Sequence, residues 1–434
     1  MRTLIGAQLA LLLVAGLATV VSMPRFTLDE MAHYSYVQSL AEDGRIPWVG
    51  RDLVSPEAEA IYEGTYPEPG RLDRAARGLG GFSYEGFQPP LYYVVAAPVF
   101  LAGGADHVLG LRLLRLLGLG FLLACAWLLW RLAQRVAAAW GGPVDAPALY
   151  ALGLTVLLWP GVVLRTVTAS NAGLEMVLDL ATAIALWDAW ERRTVRRLLL
   201  ASLLVGLGLL TRLSLVAFVP SLAVLAWLVI GDMRGRGRGR LALGAAVIAI
   251  PLLPLAPWVA FNLDRYGAPT AAAQVRTMQE PVSNPSGERF GIARLPQSVR
   301  QLSRAVLAEE WWRELLTPWK RWAGYAFATL FAAATIAGVV YAGRRVRARL
   351  LAVLALPALA TLGWMLYALL VGNWDFFLPR YLYPEIAGAG LLAALGARAL
   401  LGGVDRRVAW AGAALTGALC LVWLRLAFVA PFTG

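Results

Sequence analysis

Uninterrupted apolar runs of about 17–25 residues recur from one end of this chain to the other, each long enough to cross a bilayer as a helix. Nothing else in the sequence constrains the fold as strongly. In lipid every backbone polar group needs an internal partner, so such runs must become helices. Candidate spans lie at about 3–22, 89–102, 107–133, 146–164, 171–190, 197–211, 213–231, 241–262, 320–342, 348–371, 381–402 and 408–429. Composition agrees: only 15% of residues are charged, against about 25% in a soluble domain. The expected class is an all-α, multi-pass membrane protein forming one transmembrane domain over residues 1–434. The opening "MRTLIGAQLALLLVAGLATVVSMP" has an arginine and an apolar stretch like a signal peptide, but the stretch is long for one, and an uncleaved first helix is expected.

The net charge of +12 comes almost entirely from arginine, and it falls in clusters. "ERRTVRR" (191–197), "RGRGRGR" (234–240), "GRRVRAR" (343–349) and "DRR" (405–407) are expected on the cytoplasmic side by the positive-inside rule. The two long polar connections, 23–88 and 264–318, and the short one beginning "GNWDFF", then share the outer face. Arg131 and Arg135 put 134–145 inside as well, which the two spans counted between 88 and 134 do not allow. Either 89–102 does not fully cross, or 107–135 folds into two short crossings, giving 11 or 13 crossings in all. Arginine clusters of this kind serve topology and anionic headgroups, and no aromatic-basic groove for nucleic acid is visible. Cys125 and Cys420 lie in apolar runs and imply neither a disulfide framework nor a zinc site.

Polar residues collect at the outer edges of these spans. "RFTLDEMAHYSY" follows the first apolar run and brings Asp29, Glu30, His33 and Tyr34 together. A carboxylate at such an edge can serve as a base, while "TLDE" can equally cap a short helix. The stretch "DEMAH" lacks the first histidine of the HExxH metalloprotease pattern. In "EGFQPPLYYV" the paired prolines suit a helix start, so Gln88 ends the outer loop. "WPGVVLRTVTASNAGLEM" places Arg165, Ser170, Asn171 and Glu175 at a helix junction, where Asn171 either caps a helix or faces the site. Arg212 interrupts an apolar stretch of two short spans, and a guanidinium there either binds phosphate or snorkels to headgroups. "FNLDRYGAPT" and "LPRYLYPE" each set an arginine beside a tyrosine, Arg265–Tyr266 and Arg380–Tyr381.

In their order, "LDEMAHY", "QPPLYY", "SNAGL", "TRLSL", "FNLDRYGAPT" and "PRYLYP" resemble the motifs of the GT-C superfamily of integral-membrane glycosyltransferases. The likeness is to the branch with protein mannosyltransferases and aminoarabinose transferases. Two departures stand out: Ala172 replaces an acidic residue after "SN", and Arg212 replaces a lysine. The resemblance implies a GT-C bundle with two long outer loops, the first carrying the catalytic acidic pair. It implies transfer of a sugar, with inversion, from a polyprenyl-phosphate donor to a lipid, glycan or protein acceptor hydroxyl, on the outer face of a plasma membrane. Asp29 would be the general base, with Glu30 beside it. Arg212, Arg380 and Tyr381 would hold the donor phosphate. His33, Tyr34, Gln88, Arg165, Asn171, Arg265 and Tyr266 would line the substrate pocket. Some members use a divalent cation with two acidic motifs; with one strong acidic site here, no cofactor is expected. A lipid-linked glycan ligase or polymerase would not need the acidic pair, and a transporter would show repeat symmetry and charges near mid-membrane.

Overall fold

The computed structural model describes residues 1–22, 29–63, 83–140, 145–232, 237–283, 291–299, 318–340, 344–370 and 382–400, and isolated positions between 412 and 418. Every repeating element among them is helical. The first apolar run forms α1 (Arg2–Ser22). The first polar connection is not plain loop: it holds α2 (Glu30–Glu42), α3 (Pro56–Glu63) and a 3₁₀ turn over Tyr84–Phe87. Next come α4 (Leu91–Leu101), α5 (His107–Trp140), α6 (Ala146–Leu157), α7 (Pro160–Val167), α8 (Ala172–Arg192) and α9 (Val195–Thr211). A 3₁₀ stretch (Leu213–Phe218) leads into α10 (Val219–Gly231), followed by α11 (Gly237–Leu252), α12 (Ala256–Tyr266) and α13 (Ala272–Ser283). After a 3₁₀ turn over Ile292–Arg294 come α14 (Pro318–Val340), α15 (Arg344–Leu350), a π turn (Leu351–Ala355), α16 (Leu356–Leu370) and α17 (Tyr383–Leu400). The span expected at 408–429 lies almost wholly outside the described residues.

Four described helical stretches are long and apolar enough to cross a membrane, at 2–21, 107–140, 213–231 and 346–370. They become six if each of two bent pairs is one span. The bends have sequence causes. Between α6 and α7 the chain turns by 75° at Trp159–Pro160, where proline drives the preceding residue into extended backbone and opens the next helix. Between α11 and α12 it turns by 55° within "PLLPLAP". Large apolar side chains face outward along the bundle, among them Val14, Trp127, Trp227 and Ile248, as lipid contact requires.

The crossing conflict resolves at α4 and α5. At 11 residues α4 rises only about 16 Å, roughly half the hydrocarbon thickness, so 89–102 does not cross alone. The split of 107–135 into two crossings is not what forms: α5 is one unbroken helix of 34 residues. Its buried positions, Leu111, Leu114, Arg115, Gly118, Leu119, Leu122, Cys125, Ala126 and Leu129, repeat at helical spacing and face α2 and α4 at the start of the helix and α1, α6, α7 and α8 along it. At its far end Arg135 grips Asp188 of α8 through Nε (2.6 Å) and Nη2 (3.0 Å). Arg197 also reaches Asp188, and Arg349 reaches Glu191. Arg135, Arg197 and Arg349 therefore gather at one end of the bundle, as the charge pattern requires. The polar motifs gather at the other.

Candidate active site

At that second end α2 lies buried against the bundle. Tyr34, Tyr36 and Val37 pack with Tyr92, Tyr93, Ala96 and Phe100 of α4 and Leu111 and Leu114 of α5. This fixes the orientation of the acidic pair that opens α2. Asp29 occupies the position just before the helix, yet its side chain makes no capping hydrogen bond. It turns away and accepts two others, from Tyr84 Oη at 2.8 Å and from Arg165 Nη1 at 3.0 Å. Glu30 points elsewhere. Arg115 of α5 donates to both its oxygens, Nε to Oε1 at 2.9 Å and Nη2 to Oε2 at 2.7 Å, and the Ala169 N–H donates to Oε1 at 2.8 Å. Glu30 thus ties three segments together: α2, α5 and the link between α7 and α8.

That link is set by a close backbone approach. At Gly118 of α5, one turn beyond Arg115, a Cβ would come within 2.4 Å of the Val167 carbonyl oxygen. Only glycine lets the last turn of α7 lie there, and that turn carries Arg165. Asn171 sits at the N-cap position of α8, also without a capping hydrogen bond. Its Nδ2 donates instead to the Thr211 carbonyl at 3.2 Å, joining the start of α8 to the end of α9. There Arg212 breaks the helix in extended backbone (φ −160°). Its guanidinium does not snorkel: Nη1 donates to Glu175 Oε2 at 2.7 Å, and Ser214 Oγ donates to the other oxygen.

Gln88 is buried close by, its backbone N–H bonded to the Glu85 carbonyl at 2.9 Å. Glu85 is itself buried, with its carboxylate 3.7 Å from His33 Nε2. His33 Nδ1 meets Tyr93 Oη at 2.8 Å. Glu85 titrates high, pushed up from the ordinary 4.5 to about 7. The largest cause is burial, then the negative charge of Asp29, opposed by Arg165, Arg212 and the Gln88 amide. A Cβ on the next residue, Gly86, would lie 2.5 Å from the Pro47 carbonyl oxygen, so glycine is what lets the 3₁₀ turn sit this deep.

The structure therefore brings Asp29, Glu30, His33, Gln88, Arg165, Asn171, Glu175 and Arg212 to one end and adds Tyr84, Glu85 and Arg115. Three further expected pocket residues have the following partners. Tyr34 Oη contacts His107 Nδ1 and its carbonyl, both at 3.2 Å, at the start of α5. Arg265 donates to the Ile46 carbonyl at 2.9 Å and lies over the rings of Trp48 and Phe261. Tyr266 Oη accepts from the Val49 N–H at 3.1 Å. The last two clamp α12 to the first polar connection. Arg380 and Tyr381 lie outside the described residues. Among the described residues no three His, Cys, Asp or Glu side chains converge as metal ligands. With Asp29, Glu30 and Glu175 each facing an arginine, these residues do not fit a divalent-cation site.

No protein-family model matches the sequence, and no curated protein matches it. The fold has solved counterparts. ArnT from Cupriavidus metallidurans, crystallised bound to undecaprenyl phosphate, superposes with a TM-score of 0.56 at 14% identity over 98% of this chain. The chain spans 64% of the length of that structure. The oligosaccharyltransferase AglB from Archaeoglobus fulgidus, in complex with an inhibitory peptide and a dolichol-phosphate, superposes at 0.47 with 14% identity, over 98% of this chain and 54% of its own. That likeness is looser and adds nothing to the assignment. The chain shares its fold with ArnT, an all-α bundle of the GT-C type.

Proposed function

We propose that this chain is a membrane glycosyltransferase that moves a sugar, with inversion, from a polyprenyl-phosphate donor to an acceptor hydroxyl at the outer face of a plasma membrane. The observation that carries this reading is the unequal exposure of the carboxylates. The Glu30 side chain is 0% exposed, Glu175 1% and Glu85 7%, whereas Asp29 is 15% exposed. Asp29 is the carboxylate of this group most open to an incoming hydroxyl.

Asp29 acts as general base, taking the acceptor proton as the oxygen attacks the anomeric carbon. Such positioned proton transfer contributes roughly 10²–10⁴-fold. Tyr84 and Arg165 hold the carboxylate in one orientation. Glu30, saturated by Arg115 and the Ala169 N–H, keeps the start of α2 in place beneath it. Arg165 and Arg212 offer planar guanidinium forks to the lipid phosphate and stabilise the charge that grows on it as the sugar departs. Arg380 and Tyr381 are proposed for the same phosphate. His33, Gln88 and Asn171 orient sugar and acceptor, and the polar connection clamped by Arg265 and Tyr266 closes over them. The gathering of arginines at the opposite end supports an outward-facing site by the positive-inside rule.

The test is sugar transfer in proteoliposomes from a panel of radiolabelled polyprenyl-phosphate sugars, wild type against Asp29→Asn. Turnover by wild type that is lost in a folded Asp29→Asn protein is the expected result. Equal turnover by both would overturn the base assignment and favour a ligase or polymerase.

A further inference from the structure

Among the described residues four carboxylates and three arginines meet at the site. Glu30 is matched by Arg115, Asp29 by Arg165 and Glu175 by Arg212. Glu85 is matched by none: its nearest ion-pair contact among the described residues is His33 Nε2 at 3.7 Å, and its Oε2 is buried without a hydrogen-bond partner. A buried carboxylate lacking a cation and a full set of donors is expensive to keep ionised, and taking up a proton removes that cost. The groups facing it are Asp29 and His33 on the α2 side, Gln88 and Tyr93 toward α4, and Arg165 and Arg212 from the ends of α7 and α9.

We propose that Glu85 is a positioning residue for the transfer reaction: it works as a neutral carboxylic acid, and its neutrality leaves Arg165 and Arg212 available to the donor phosphate. This rests on the glycosyltransferase reading above. An ionised Glu85 would add an unmatched negative charge beside Asp29. It would attract both arginines and repel the incoming phosphate. Loss of its proton to solvent therefore weakens donor binding while leaving the base in place, so the effect appears in the KM for donor. Titration at about 7, from burial and the charge of Asp29, puts that loss within the working range.

The measurement is donor kcat/KM in proteoliposomes from pH 6 to pH 8 for wild type, Glu85→Gln and Glu85→Asp. A glutamine cannot ionise, so the ratio of Glu85→Gln to wild type should rise about tenfold across that range as the wild-type acid is lost. Glu85→Asp keeps a titrating group and should retain a pH-dependent fall. A ratio independent of pH overturns the proposal, as does a Glu85→Gln protein that folds but has lost turnover throughout. Infrared difference spectra decide the matter without turnover. The carbonyl stretch of a protonated carboxyl should be present in wild type at pH 6, lost at pH 8 and missing in Glu85→Gln. No such band overturns the proposal, whereas a band in a protein that turns over no donor faults the glycosyltransferase reading alone.

Discussion

Arg115 holds Glu30 with two near-parallel hydrogen bonds, Nε to Oε1 at 2.9 Å and Nη2 to Oε2 at 2.7 Å, with both side chains 1% exposed or less. The pair joins the helix that begins beside Asp29 to the longest helix of the bundle. Removing one partner of such a pair strands the other charge in a dry interior, at a cost of about 3–5 kcal/mol. Arg115→Ala should therefore lower the thermal unfolding temperature in detergent sharply. The double replacement of Arg115 and Glu30 by apolar residues of similar volume should be milder than the single one. A double variant no more stable than Arg115→Ala would contradict the pairing.

Tyr84 touches the proposed base without replacing it. Tyr84→Phe deletes the 2.8 Å hydrogen bond to Asp29. Hydrogen bonds to charged groups contribute roughly 1.5–3 kcal/mol, so turnover should drop by about 10-fold to 100-fold while the fold survives. Asp29→Asn should cost more, at the upper end of what a general base supplies. Single-turnover rates of the three proteins check the order.

Glu85 also makes stability depend on pH. Its folded value of about 7 lies above the ordinary 4.5, so between those values the folded protein holds the proton more tightly than the unfolded chain does. Stability should fall as pH rises through this window, and flatten above it. Glu85→Gln should show a shallower slope over the same window. Unfolding temperatures from pH 4.5 to 7.5 read the difference.

Tyr266 supplies the only hydrogen-bond acceptor recorded for the buried Val49 N–H among the described residues. Tyr266→Phe strands that donor, costing about 1–3 kcal/mol locally. Hydrogen exchange should speed up over residues 46–52, with α5 and α8 unaffected. Uniform acceleration across the bundle would instead show that the clamp is global.

Much of the arrangement is written in residue patterning. The apolar runs announce the helices, the arginine clusters announce one end, and "LDE" announces the other. Asp29 was legible as a carboxylate at a span's edge, but the sequence served a helix cap and a base equally, and only the structure shows that its side chain makes no capping bond. Arg115 was not, since in "LRLLRLLGLG" it reads as one more charge at a span's edge, and only packing reveals that it faces inward. Glu85 stands four positions before the first of the paired prolines in "EGFQPP", and the prolines, as a helix start, are the stronger signal there. Its burial depends on Gly86 meeting Pro47, a contact between segments almost forty positions apart. The kink at Trp159–Pro160 had a visible cause, yet the hydropathy of 146–164 concealed it. The unbroken course of α5 was undecidable, because its length suits one tilted helix or two short ones.

That course has a consequence for the lipid around it. Arg115 and Arg135 stand twenty residues apart on one rigid rod, about 30 Å, the thickness of an average hydrocarbon core. Both are pinned, one to Glu30 and the other to Asp188. A thinner bilayer cannot shorten the rod and must be met by tilt or by deforming the lipid. The height of Asp29 relative to the headgroup plane then varies with acyl-chain length, so bilayer thickness becomes a variable in the geometry of the proposed site.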